Sequence, residues 1–460
     1  MSNSILTISR ETAASTRIVT AAKAAPAVMT AARELQAHVE RICGARVRIV
    51  ADTALAGQNE IWVGPSRRVE QFLPDLGAAR LGAEGYRLRA SVGHVAIVGG
   101  GPRGTLYGVY GLLRDHLGCR WFAPGVSAVP RRPAVAIGPL DEAKAPAFEY
   151  RNFILDGVAD PAWAARNAFN GFNSPATREF GGRRTHWQYG HSFHALLPVE
   201  RYFRKHPDYF DSASRGKIVL DDPVNVCCTN SRVARIVTDN LRRVIEAGLA
   251  AERKDPANPA PEVYYLAQND GGSPCHCPAC RRLVRREGSF SAPLLHLCNQ
   301  VAEAIAREYP GLSLMTIAYR FSRRPPRHMR AHPRLIVQLC SIECCQSHPF
   351  ASCDDEDNRL FREDMDGWER AAERIWVWTY MARLWHPFLA GPGFGTAAEN
   401  FRWFHDHNVR GMFLQTGGER DFKWLHAWLI CQALRDPRGD WRAWRDEFLA
   451  AYYGPAAGPL

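Results

Sequence analysis

The sequence lacks any run of about 18 apolar residues, so nothing in it reads as a membrane-spanning helix. Its opening stretch, MSNSILTISRETAAST, lacks a basic segment followed by an apolar core; this predicts a cytosolic protein, or a periplasmic or secreted one if a leader is missing. A basic arm is absent too. Lys plus Arg number 58 against 47 Asp plus Glu, a formal charge of +11, but the cations are spread along the chain. Their densest cluster, Arg320, Arg323, Arg324, Arg327 and Arg330, is no nucleic-acid tail, and the excess reads as solvated Arg-rich faces. There is no P-loop, no G-x-S-x-G elbow and no H-E-x-x-H pair, which argues against a phosphate-cradling nucleotidase, a serine hydrolase of that type and a zincin. Gly99 to Gly104 carries Pro102 inside its glycines and no acidic ribose ligand is evident, so it reads as a tight strand–helix turn.

What is present describes a globular protein: 46 % apolar and 23 % charged residues in 460 exclude a disordered or fibrous chain. The length suits one small domain plus one barrel of roughly 250 residues. The 13 Cys are odd in number and clustered (Cys227 and Cys228; Cys340, Cys344, Cys345 and Cys353), which reads as a reducing compartment rather than a disulfide framework.

Residues 1–140 alternate helix and strand. Val28, Ala32, Leu35, Val39 and Ile42 mark one helix that Gly44 stops, and short β-like runs lead to a second helix over 105–116. This predicts a small N-terminal α/β sandwich. The Pro- and Ala-rich segment 130–146 reads as a linker. From 147 to 455 the pattern becomes repeated strand–helix units. Strands are expected at 150–155, 168–173, 189–193, 263–269, 313–319, 335–342, 375–380 and 411–415, with helices at 232–247, 293–308, 357–372, 396–407 and 421–434. The strands are continuous apolar runs, as in sheets buried on both faces, and eight of them count out as a (β/α)8 TIM-type barrel.

Two stretches resemble known families. Gly99 to Pro124, GGGPRGTLYGVYGLLRDHLGCRWFAP, resembles the accessory α/β domain that precedes the barrel in β-hexosaminidases of glycoside hydrolase family 20 and α-glucuronidases of family 67. The pieces HSFHALLP (from His191), YFRKHPDYFD (from Tyr202), VCCTN (from Val226), YYLAQNDGGSPCHCPAC (from Tyr264) and EFLAAYYGPAA (from Glu447) resemble the domain of unknown function numbered 4838. That group is similar to glycoside hydrolase family 163. The resemblance implies a β-N-acetylglucosaminidase, including endo-action on glycans, with a carbohydrate substrate. Neither nucleic acid nor a membrane is implied, and no oligomeric state. Most relatives are secreted or periplasmic and extend further at the C-terminus.

In a barrel the chemistry lies on the loops after the strands. Asn269 and Asp270 close the fourth expected strand. The likeness to substrate-assisted hexosaminidases implies that Asn269 orients a 2-acetamido group while Asp270 protonates the leaving oxygen. An Asx turn into Gly271 is the structural alternative. Glu343, after the sixth strand, is a candidate acid/base, or else a Glu paired with an Arg. Sugar contacts are expected from Asp156, His191, His194 and Glu419, and from Trp378 and Tyr380 as stacking platforms, with turn, cap and core roles as alternatives. A second reading is a two-carboxylate uronosidase using Arg to hold the uronate; a third is a barrel that binds glycans without cleaving them. No cofactor is required. Cys275, Cys277 and Cys280 suit a structural zinc, with the fourth ligand open among Cys228, His296 and Cys298; thiols packed in the loop are the alternative.

Overall fold

The computed structural model describes residues 4–74, 78–154, 159–213, 224–256, 258–381, 393–416 and 422–458. The chain forms two compact units, 1–183 with 418–460, and 184–417.

Among the described residues of the first unit eleven strands form: β1 (Leu6–Ile8), β2 (Thr16–Thr20), β3 (Arg48–Ala51), β4 (Asn59–Val63), β5 (Tyr86–Ser91), β6 (His94–Gly99), β7 (Arg120–Ala123), β8 (Val126–Ala128), β9 (Val135–Ile137), β10 (Leu140–Lys144) and β11 (Tyr150–Phe153). Six make one mixed sheet in the order β10-β5-β6-β4-β2-β3. Helix Pro26–Cys43 buries Val28, Ala32, Leu35, Val39 and Ile42 and ends at Gly44 with φ 70, so the helical spacing and its stop are both realised. Gly99 leads into helix Pro102–Gly111 as a tight turn. A Cβ at Gly104 would lie 2.4 Å from the Gly85 carbonyl oxygen, so only glycine lets the helix start this close to β5.

The segment expected to be a linker is instead threaded into the fold: β9 pairs with β1 and β10 with β5, both antiparallel. Its strands were hidden because β10, LDEAK, is a mostly exposed sheet edge that needs little apolar periodicity.

A buried ionic knot ties several of these pieces. Arg151, 1 % exposed, reaches Glu84 Oε2 at 2.7 Å, the Ala168 carbonyl at 2.6 Å and the Tyr107 hydroxyl at 3.3 Å, and also donates to the Phe148 carbonyl. Arg103 meets the other oxygen of Glu84 at 2.7 Å, and the Asn170 amide donates to the same atom at 2.6 Å. Burial and the Glu84 charge push the Tyr107 hydroxyl up to about 12, so it stays protonated.

The second unit holds a curled, all-parallel sheet of β12 (His186–Trp187), β13 (Val263–Tyr265), β14 (Ser313–Ala318), β15 (Leu335–Cys340), β16 (Ile375–Met381) and β17 (Val409–Thr416), paired in chain order. Strands β13 to β16 are almost wholly buried, as their unbroken apolar runs require. Helices Ser231–Lys254, Pro278–Glu287, Ser291–Glu308, Glu356–Ala371 and Phe394–Asp406 connect them. Asn230, Cys277 and Asp355 cap three of these by accepting from first-turn amides. Between β14 and β15 only the 3-10 turn Arg320–Ser322 forms.

The fold is therefore α/β with an N-terminal sheet unit and a TIM-type parallel sheet, but the expected count of eight barrel strands needs correction among the described residues. No strand forms over 168–173. Ala168 sits at φ 57, and the segment is tied to β11 mostly by side chains: the Arg151 amide donates to Asn170 Oδ1 and the Asn173 amide to Asn152 Oδ1, each at 2.9 Å. The third strand is His186–Trp187 rather than 189–193, because Gln188 at φ 53 and Gly190 at φ 89 bend the chain out of the extended form.

His186 lies inside this sheet, with ring centroids 5.5–5.9 Å from Tyr189, Tyr265 and Trp376. Burial, helped by Arg184, depresses its pKa to about 3. The unfolded chain takes up this proton below about pH 6.5 while the folded one does not, so stability falls as pH drops, by about 2 kcal/mol at pH 5. Urea unfolding at pH 7.5 and 5.0 checks this. His186→Phe should lose that part of the pH dependence, and an unchanged difference would refute the assignment.

Candidate functional site

Because the sheet is parallel, its strand ends gather the residues that follow them on one rim. After β12 come His191 and His194; after β13, Gln268, Asn269 and Asp270; after β14, Tyr319; after β15, Glu343. Tyr380 lies near the end of β16.

Asp270 is the outward carboxylate here, with its side chain 63 % exposed. The Tyr319 hydroxyl donates to its Oδ1 at 3.2 Å, and His191 Nε2 stands 4.0 Å from the same oxygen. His191 Nδ1 lies 2.7 Å from the Gln268 carbonyl, which can only accept, so Nδ1 carries the proton and Nε2 faces Asp270. Burial and the Asp270 charge push Tyr319 up to about 12, which keeps it a donor. Tyr319 was not anticipated, although its place one residue past β14 is a signal of the same kind as that of Glu343.

Asn269 does not present its amide to a ligand. It is 5 % exposed; its Oδ1 accepts from the His194 amide at 2.9 Å and its Nδ2 donates to the Val224 carbonyl at 2.7 Å. Its own amide donates to Asn225 Oδ1 at 2.8 Å. The amide expected to orient an acetamide is buried and engaged at both ends, where it brackets the loop that carries Asp270.

Glu343 is bound by Arg323 at 3.0 Å, and Arg323 is also held by Asp364 at 2.8 Å. It borders a groove of about 790 Å³ between the 320–330 loop and helix Glu356–Ala371, lined by Arg320, Arg323, Arg324, Arg327 and Arg370 among others. The Arg-paired alternative for Glu343 is the observed one. Trp378 is half-buried, packs 4.7 Å from Phe413 and donates to Gln415 Oε1 at 3.1 Å. Tyr380 is 6 % exposed, and burial raises its hydroxyl strongly, so it is core rather than a stacking platform. The His194 side chain is exposed on the short helix Phe193–Leu196. Asp156 and Glu419 lie outside the described residues.

Cys275, Cys277 and Cys280 converge, and the fourth sulfur beside them is that of Cys227 rather than Cys228, His296 or Cys298. Of the ligands expected instead, Cys298 donates to the Leu266 carbonyl at 3.2 Å, His296 pairs with Gln300 at 2.8 Å and Cys228 lies 3.7 Å from the Val226 carbonyl.

A TIM-type parallel sheet carries its chemistry on the rim where the strands end, and here that rim holds Asp270 and Glu343. The chain belongs to the family described as domain of unknown function DUF4838, which matches residues 121–460. Residues 6–112 match the N-terminal region of glycosyl hydrolase family 67. No curated protein matches the sequence. Among solved structures, a family GH115 4-O-methyl-α-glucuronidase with specificity for decorated arabinogalactans is similar over 98 % of this chain and 61 % of its own, at 13 % identity and a TM-score of 0.59. The chain thus spans 61 % of that protein's length. The GH20 β-N-acetylhexosaminidase of Streptomyces coelicolor A3(2) is 12 % identical, with a TM-score of 0.49 over 100 % of this chain and 94 % of that one. The β-N-acetylhexosaminidase of Bacteroides fragilis NCTC 9343 is 10 % identical, with a TM-score of 0.49 over 99 % and 94 %. At 13 % identity the likeness to the GH115 enzyme is one of fold. No helix among the described residues is long and apolar enough to cross a membrane.

Proposed function

We propose that the protein is a glycoside hydrolase whose general acid is Asp270, acting on β-linked N-acetylglucosaminides with the substrate's own acetamide as nucleophile. The observation that carries the reading is the isolation of Asp270: among the described residues, Glu343 is the other rim carboxylate, and an arginine engages it. A retaining enzyme with a protein nucleophile needs a second free carboxylate about 5–5.5 Å away. Among the described residues Asp270 is the rim acid that no arginine engages, and that fits substrate assistance better. The Tyr319 hydroxyl holds the acid in place, and the ring nitrogen Nε2 of His191 stands 4.0 Å from it. The test is hydrolysis of an aryl β-N-acetylglucosaminide, followed by proton NMR of the first-formed anomer. Retention supports the reading; inversion, or glycan binding without turnover, refutes it.

A second reading, a uronosidase, is favoured by the groove beside Glu343, which Arg324 and Arg327 line with guanidinium forks suited to a bidentate carboxylate. An aryl glucuronide in the same panel separates the two. The ion pair to Arg323 supports a positioning role for Glu343. Glu343→Gln is expected to keep turnover of the N-acetylglucosaminide within about tenfold of the unaltered protein while lowering the melting temperature. Loss of turnover with the melting temperature intact would instead make Glu343 catalytic.

A further inference from the structure

We propose that Cys227, Cys275, Cys277 and Cys280 form a closed structural zinc site in the second unit, fastening the segment around Cys227 to the loop that follows β13. The four sulfurs lie within 4.8 Å of one another, and Cys227 Sγ is 3.7 Å from Cys277 Sγ. A tetrahedron with zinc–sulfur bonds of about 2.3 Å has edges of about 3.8 Å, so the sulfurs are spaced as ligands of one ion. They are far from the roughly 2.05 Å of a disulfide, and all four are free thiols.

The surroundings suit thiolates. Cys277 caps helix Pro278–Glu287 and accepts from the Cys280 amide at 3.5 Å, so the positive end of a ten-residue helix faces the cluster. The Thr229 hydroxyl stands 3.2 Å from Cys280 Sγ and 3.6 Å from Cys277 Sγ, within reach of a second-layer hydrogen bond. Cys227, Cys275 and Cys280 are buried and pack as one cluster, with Cys277 against them. Four thiolates leave no open position, so the ion would be structural rather than catalytic.

The placement gives the ion a task. Two residues before Cys227, Asn225 accepts from the Asn269 amide at 2.8 Å and donates to the Ser273 carbonyl at 3.3 Å. The Cys227 amide donates to the Tyr209 carbonyl at 2.8 Å, and the Asn225 carbonyl accepts from the Asp211 amide at 2.8 Å. One ion bound by Cys227 on one side and by Cys275, Cys277 and Cys280 on the other would fasten the segment that holds Asn269, through Val224 and Asn225, to the loop that follows β13. This inference does not depend on what the rim does chemically.

The experiment uses the full chain, purified under reducing conditions from zinc-supplemented medium. Elemental analysis is expected to find one zinc per chain. A mercurial thiol reagent should release it to a chromogenic chelator, and cobalt(II) exchange should give the charge-transfer and d–d bands of a tetrahedral tetrathiolate. Cys227→Ser and Cys277→Ser should lose the zinc, whereas Cys228→Ser and Cys298→Ser should keep it. Should the Cys227 and Cys277 variants fail to fold, the unaltered protein still decides through its metal content and cobalt spectrum. Absence of stoichiometric metal together with no tetrathiolate cobalt spectrum overturns the proposal. So does a red protein holding one iron, or equal zinc retention by Cys228→Ser and Cys277→Ser.

Discussion

Asp270→Asn is expected to lower turnover of an aryl β-N-acetylglucosaminide by about 10²–10⁴-fold while leaving the fold intact, the range that loss of a general acid produces. The substitution keeps the shape of the side chain and an oxygen for the Tyr319 hydroxyl, and removes the transferable proton. The carboxylate is 63 % exposed, so its replacement should change stability by no more than about 0.5 kcal/mol. The acid role makes a sharper demand. A leaving group of low pKa departs with little protonation, so the loss should be small for a dinitrophenyl glycoside and large for one with a poor leaving group. A loss independent of the leaving group would remove Asp270 from the acid role and leave it a binding residue. Tyr319→Phe, which frees Asp270 Oδ1 from its hydroxyl donor, should cost about tenfold, in proportion to one hydrogen bond of roughly 1–1.5 kcal/mol.

Arg151→Met should destabilise the protein by about 3–5 kcal/mol, the cost of breaking a buried ion pair from one side. The guanidinium is 1 % exposed and serves Glu84, two backbone carbonyls and the Tyr107 hydroxyl at once. Its removal leaves the Phe148 and Ala168 carbonyls without that donor and returns Glu84 to Arg103 and Asn170. Typical total stabilities are about 5–15 kcal/mol, so the loss is a large share. At roughly 2–4 °C per kcal/mol for a unit of this size, the melting temperature of the first unit should fall by about 6–20 °C. Arg46→Met, which removes a solvent-exposed pair with Glu40, is the reference and should change stability by under about 1 kcal/mol. Equal shifts for the two variants would show that the buried knot contributes nothing special.

Much of the architecture was legible because burial writes itself into composition. Strands β13 to β17 were expected within a few residues, since a strand covered on both faces must be apolar throughout. The helix over Pro26–Cys43 and its end at Gly44 follow from apolar spacing and the left-handed conformation that glycine accepts. Where side chains replace ladder hydrogen bonds the pattern is mute: the segment 168–173 lies along β11 through Asn170 and Asn152, and its apolar residues looked like a strand. Asp270 and Glu343 were both visible as acids after strands, yet one is open and the other held by Arg323. Residue order does not show that pairing, because Arg323 comes from the loop after β14, twenty residues away. The Cys227–Cys228 pair shows the same limit. Neighbouring side chains point different ways, and only the fold says which sulfur meets Cys275, Cys277 and Cys280.

By itself the sequence determined the α/β class, the places of most strands and helices, and the rim residues that merit a test, because those depend on periodicity and position along one segment. The tertiary structure alone decided that Asn269 is a bracket, that Glu343 is paired, that Tyr319 attends Asp270 and that Cys227 completes the thiol cluster. Each of these is a contact between segments tens of residues apart, and such contacts are fixed by packing in three dimensions rather than by any local pattern.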